Sequence, residues 1–179
     1  MHPNYKDFHV VDDVIVGNLN NDRKIQISEV SFKESSTCTL FNGLFIETTL
    51  NTDTRSDIRF ISNSNESLRL GNCTKLKTNN PNFAKEFNVY TNNLEITCSL
   101  LTRYVMEKLV MLRTEYGMNY DFVIKNNKLY IRLVTGQLFE TSLRRSKLSK
   151  EDLLVYYSIL NYIELLVNEI NKIVDDSKF

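Results

Sequence analysis

Two prolines and five glycines in 179 residues leave this chain little material for long linkers, and no glycine-rich loop of the phosphate-cradling kind is present. Histidine is equally scarce: His2 is terminal, and His9 sits on a predicted strand with no partner motif. Histidine-based acid–base chemistry is therefore poorly supplied. The three cysteines, Cys38, Cys73 and Cys98, are odd in number and widely spaced, which implies no disulfide framework. Neither CxxC nor HExxH occurs, so zinc-site spacing is missing, and no motif calls for a cofactor. Free thiols fit a reducing compartment. Charge of one sign is lacking too, with 22 Lys and Arg against 22 Asp and Glu. That balance argues against nucleic acid as the partner, because counterion release needs a concentrated basic surface. No window reaches the ~18–20 consecutive apolar residues of a bilayer span. The first ten residues lack the basic-then-apolar order of a secretory signal. The chain is expected to be soluble.

What is abundant is asparagine, about one residue in eight against an ordinary composition led by Leu, Ala and Gly. It clusters at 18–21, 79–80, 92–93 and 126–127. Asn tolerates left-handed backbone and bonds its own main chain, so these clusters read as turns. The length suits one domain over residues 1–179.

The first third alternates like a sheet. Residues 8–11 and 14–16 precede Gly17, and Ile25 and Ile27 share one face of the next run. Residues 39–49 form the most apolar early stretch, where Gly43 predicts a bulge or close backbone approach. Short strands are expected at 58–61 and 68–70, with loops at 51–57 and 74–82. Phe83, Phe87 and Val89 suggest a strand over 83–90. Thr102 is placed to cap a helix ending at Tyr116, with Val105, Leu109, Leu112 and Tyr116 at i, i+4, i+7 and i+11. Gly117 stands where a helix-terminating residue belongs. Residues 120–124 and 129–134 flank Asn126-Asn127, a pair suited to the positive φ angles of a type I′ hairpin.

The last element is the longest. Ser149-Lys150-Glu151-Asp152 is close to a capping box, with acids near the positive helix end. Leu153, Tyr157, Leu160, Ile163, Val167, Ile170 and Val174 trace a stripe, widened by Tyr156, Ile159, Leu166 and Ile173. Its apolar face must be covered by the sheet or by a partner. On this reading Leu160 is core.

Few residues point to chemistry. Asp12-Asp13 with Glu29 would bring carboxylates together across a hairpin, as a hard cation requires, although a solvated turn is the ordinary meaning of that pattern. Cys98 precedes a helix, where thiol pKa values fall, but a structural cysteine is the default. The densest charge run is Arg144, Arg145, Lys147 and Lys150, just before the last helix. Such runs mark solvated loops more often than sites. It is nonetheless the strongest binding candidate, suited to a phosphate, a lipid headgroup or an acidic protein surface.

The order of several short motifs resembles a bacterial family catalogued as domain of unknown function 3137. They are Asp12-Asp13-Val14-Ile15-Val16-Gly17, Ile25-Gln26-Ile27-Ser28-Glu29-Val30, Leu40-Phe41-Asn42-Gly43-Leu44-Phe45 and Phe83-Ala84-Lys85-Glu86-Phe87-Asn88-Val89-Tyr90. Leu100-Leu101-Thr102, Met106-Glu107-Lys108-Leu109, Asn127-Lys128-Leu129-Tyr130-Ile131 and Phe139-Glu140 follow. Two departures stand out: Arg103 replaces the usual Pro after the capping Thr, and 94–99 is one residue longer. The resemblance implies a cytoplasmic domain, tethered to the inner face of the membrane in a longer gene product or acting as a soluble relative. It implies no established activity. The expectation is an α+β domain, a largely antiparallel sheet (flat or rolled into a half-barrel) packed by a middle helix and a long C-terminal helix. The function expected is that of a non-catalytic interaction module whose partner is a protein or an anionic membrane surface. The alternative is a small hydrolase or transferase built on carboxylates and Cys98.

Overall fold

Hydrophobic alternation in the first three-quarters of the chain produces, among the described residues, eight strands in one antiparallel sheet, and two apolar stripes produce helices that cover it. The computed structural model describes residues 9–19, 22–33, 39–63, 72–136, 138 and 149–177. The strands are β1 (His9–Asn18), β2 (Lys24–Lys33), β3 (Thr39–Thr49), β4 (Asp57–Ser62), β5 (Thr74–Leu76), β6 (Phe87–Thr91), β7 (Tyr120–Lys125) and β8 (Lys128–Val134). The helices are α1 (Pro81–Glu86), α2 (Leu94–Leu100), α3 (Arg103–Tyr116) and α4 (Lys150–Asp176). The sheet order is β1-β2-β3-β8-β7-β4-β6-β5, with every pairing antiparallel, so β1 and β5 form its two open edges.

Register follows the apolar alternation. Ile27 opposes Ile46, Ile46 opposes Ile131, Phe122 opposes Ile131 and Phe60 opposes Phe122, which lines one face with large side chains. The rings of Phe60 and Phe122 stack there with centroids 4.2 Å apart. Gly43 makes the close approach its position suggests: a Cβ on it would lie 2.2 Å from the Leu133 carbonyl oxygen. The β7–β8 hairpin turns at Asn126-Asn127, where Asn126 takes the positive φ of 57°. Its tip is fastened to the β3–β4 connection. The Asn126 N–H donates to the Ser56 carbonyl, and the Leu50 N–H donates to the Asn127 carbonyl.

Three expectations change. The stretch 83–90 is not one strand, since Pro81–Glu86 is helical and only Phe87–Thr91 pairs in the sheet. The cause is local: the Asn80 side chain accepts from the N–H groups of Asn82 and Phe83, and Pro81 sits at the helix start where its fixed φ fits. The loop expected over 74–82 contains the short strand β5. Residues 94–100, unassigned from sequence, form α2 with the Asn93 side chain capping Ile96. The strand expected at 68–70 lies outside the described residues.

The middle helix is as expected. Thr102 caps Val105, Gly117 closes α3 in left-handed conformation at φ 61°, and Val105, Leu109 and Leu112 are buried. Helix α4 begins with a complete capping box between Ser149 and Asp152. Ile163, Leu166, Val167, Ile170 and Val174 are almost wholly buried in one continuous core with Ile46, Ile131 and Leu109. Each such burial is worth about 1.5–3 kcal/mol. By length and composition α4 is also apolar enough to cross a membrane, contrary to the expectation from apolar runs, because its apolar residues occupy more than one face. Only 33% of its most apolar window is buried. Its C-terminal half is nevertheless core, and a spanning orientation would dismantle the domain.

Candidate functional site

The sequence-predicted binding run is divided by the structure. Lys150 is the first residue of α4 and is exposed, while Arg144, Arg145 and Lys147 lie outside the described residues. Glu29 lies across the β1–β2 ladder from Asp12 and Asp13, but its side chain is 3% exposed and accepts the Leu138 N–H. Asp12 and Asp13 fall at the register irregularity between Val11 and Val14. His9 pairs with Phe32 through the backbone. Among the described residues no group of three His, Cys, Asp or Glu side chains could hold a metal ion. Cys38 lies outside the described residues. Cys73 is half-buried beside Asp57 and Arg59, and burial pushes its thiol up. Cys98 is exposed on α2.

A groove of about 400 Å³ separates the α2–α3 junction from the end of α4. Ser99, Thr102, Tyr104, Glu169, Lys172 and Asp176 line it, and Cys98 does not. Glu169 is already engaged by Lys108 at 3.5 Å. Nearby, a polar clasp fixes the C-terminal end of α4. Asp175 accepts from the Asn51 amide at 2.9 Å, from the Thr52 hydroxyl at 2.6 Å and from the Asn171 amide at 2.8 Å. Asn171 in turn accepts the Asn51 N–H, and Arg23 donates to the Asn51 side chain. The buried charges elsewhere are structural in the same sense. Arg113 stacks on Phe87 and donates to Asn119 and the Glu86 carbonyl, and Arg132 is paired with Asp121.

The other end of α4 is unlike any of this. Lys108 meets Glu169, whereas Leu112 and Tyr116 meet Tyr162, so α3 and α4 run antiparallel. Because α3 stops at Gly117, the turns of α4 upstream of about residue 158 run past its end. There α3 no longer covers the helix. Leu153 is 54% exposed, Leu154 58%, Tyr157 65% and Leu160 42%. Their spacing of i, i+1, i+4 and i+7 puts them on one contiguous face. Val155 is decisive: it shares the helical azimuth of buried Tyr162 and Leu166, yet is 48% exposed. The cover that α3 gives α4 has ended by that turn. This corrects the sequence expectation that Leu153, Tyr157 and Leu160 belong to the core. The stripe is real, but α3 does not reach its first turns, where among the described residues the Tyr156 hydroxyl donates to the Leu138 carbonyl and Ile159 is buried.

An open antiparallel sheet covered by a middle helix and a long, overhanging C-terminal helix defines an α+β scaffold whose unsatisfied feature is an apolar surface. The chain belongs to the family described as Protein of unknown function (DUF3137), which it matches over residues 39–172. The motifs at 12–17 and 25–30 fall before that stretch. The fold is shared with the crystal structure of the mycobacterial trehalose monomycolate transport factor A, TtfA. That likeness has a TM-score of 0.60 at 10% identity and covers 92% of this chain and 72% of that one. No curated protein matches the sequence.

Proposed function

We propose that this chain is a non-catalytic interaction module acting at the cytoplasmic face of a membrane, and that it makes contact through the overhanging turns of α4. The observation that carries this reading is the contiguous exposed face of Leu153, Leu154, Tyr157 and Leu160. Isolated apolar side chains are ordinary on a surface, whereas a contiguous apolar helix face marks a contact site. The basic residues Arg144, Arg145, Lys147 and Lys150 are the proposed polar part of the same contact. The fold neighbour, described as a transport factor, is compatible with such a role. A small hydrolase or transferase using Cys98 and carboxylates needs these groups to converge on a shared cleft, and Cys98 stands outside the groove at α2–α4.

The test is photo-crosslinking in the native cell, with the probe at Leu154 or Tyr157 and a control at Lys75 on the opposite sheet edge. Adducts at the two helix positions and none at Lys75 are expected. No adduct on the helix, together with a turnover activity lost on changing Glu169 or Asp176, would replace this reading with the enzymatic one.

A further inference from the structure

We infer that the open edge strand β1 pairs antiparallel with β1 of a second copy of this chain, with Ile15 opposite Ile15 across a two-fold axis. This contact is separate from the one assigned to α4. Among the described residues β1 hydrogen-bonds to β2 alone, so its outer side presents unpaired N–H and C=O groups. Such an edge invites another strand, and proteins guard against it with short strands, lysine, proline or bulges. The opposite edge is guarded in this way: β5 has three residues and carries exposed Lys75 at its centre. The stretch 14–18 has none of these devices. It contains neither lysine nor proline, and it pairs with 24–28 without a break, the irregularity of β1 lying before Val14. Val14, Ile15 and Val16 are all exposed, Val16 by 71%. Alternation points Ile15 to one face and Val14 and Val16 to the other, so the edge is apolar on both faces.

The unpaired backbone calls for an extended chain, and the order of side chains selects a second copy. With Ile15 facing Ile15, Val14 faces Val16 twice, and Asp13 faces Gly17, which has no side chain to set against it. No like charges oppose one another across 13–17, and every β-branched side chain of the stretch meets another, as stable cross-strand pairs require. Moving the axis to Val14 sets Asp13 against Ile15, and moving it to Val16 sets Ile15 against Gly17; either loses apolar pairs. Pairing β1 with the β5 edge would bring Lys75 against the apolar stretch in a head-to-tail contact that does not close at two copies, whereas β1 against β1 closes as a dimer. The two-fold axis stands perpendicular to the sheet, so the α4 helices of both copies lie on the same side of the joined sheet.

The test is sedimentation velocity on the full chain across a concentration series. A concentration-dependent dimer is expected for the parent. Val14→Lys/Val16→Lys, at two exposed positions, sets lysine against lysine twice, and should weaken the dimer at least ~tenfold while keeping the thermal unfolding transition. Val14→Glu/Val16→Lys sets glutamate against lysine in the same register and should restore the dimer. That rescue separates this pairing from a simple loss of apolar surface. A parent that stays monomeric throughout the series overturns the inference; β1 amides protected from hydrogen exchange in that monomer would assign the edge to another extended segment instead. A dimer that the first variant leaves intact, or that the second fails to recover, overturns it as well.

Discussion

Tyr120 and Tyr162 show how single polar atoms are accommodated in this core. Their hydroxyls donate to the carbonyls of Leu109 and Leu112, at 3.0 and 3.4 Å, tying sheet and C-terminal helix to the buried side of α3. Burial pushes both phenols above their ordinary range. In the unfolded chain a tyrosine ionises near pH 10. Above that pH the unfolded state releases a proton that the folded state keeps, so stability falls as pH rises, by up to about 1.4 kcal/mol per pH unit for Tyr120. Tyr120→Phe should cost about 1 kcal/mol at neutral pH through the lost hydrogen bond. The gap to the parent should then close above about pH 10; denaturant melts that stay parallel with pH would show that Tyr120 ionises in the fold. Gly43→Ala is expected to cost about 1–3 kcal/mol by the same measurement, since its methyl would strike the Leu133 carbonyl. At this scale the sequence was informative only for local contacts. Thr102 and Ser149 bond N–H groups three residues away, and both caps were readable. The Arg23–Asn51–Asn171–Asp175 clasp joins residues up to 124 positions apart, and no local pattern announces it.

Among the elements, α4 separates two properties that periodicity alone merges. An apolar stripe says which side of a helix prefers to be covered; it does not say how far the cover extends. Where α3 and the sheet lie beneath it, Leu166 is fully buried, and Leu166→Ala should cost about 2–5 kcal/mol. Past the end of α3 the stripe continues unburied, and Leu160→Ala should stay within about 0.5 kcal/mol of the parent. Equal losses from the two substitutions in denaturant melts would show that α4 is core along its whole length. The error over 83–90 has a related origin. Phe83 and Phe87 fit both strand alternation and the i, i+4 spacing of a helix, and the deciding information was the Asn80-Pro81 pair just before them. Asn93 was the equivalent signal for α2. Strands β2, β3, β7 and β8, with clear alternation or a turn pair between them, were legible from sequence.

At the scale of the molecule, the architecture was readable as class and order but not as topology. That β3 pairs with β8, and that β4 lies between β7 and β6, depends on contacts between distant segments. The consequence for function is that one end of α4 is locked by the clasp on the β3–β4 connection while the other projects with its apolar face uncovered. The C-terminal half of the longest helix thus holds the fold, while its first turns carry the face assigned to partner contact in the proposed function. The most direct measurement combines stability and contact in one variant, Leu154→Asp/Tyr157→Asp, compared with the parent by denaturant unfolding and by in-cell crosslinking from position 160. Unfolding free energy within about 0.5 kcal/mol of the parent, with the crosslinks gone, is the predicted result. A loss of several kcal/mol, or crosslinks that persist undiminished, would contradict it.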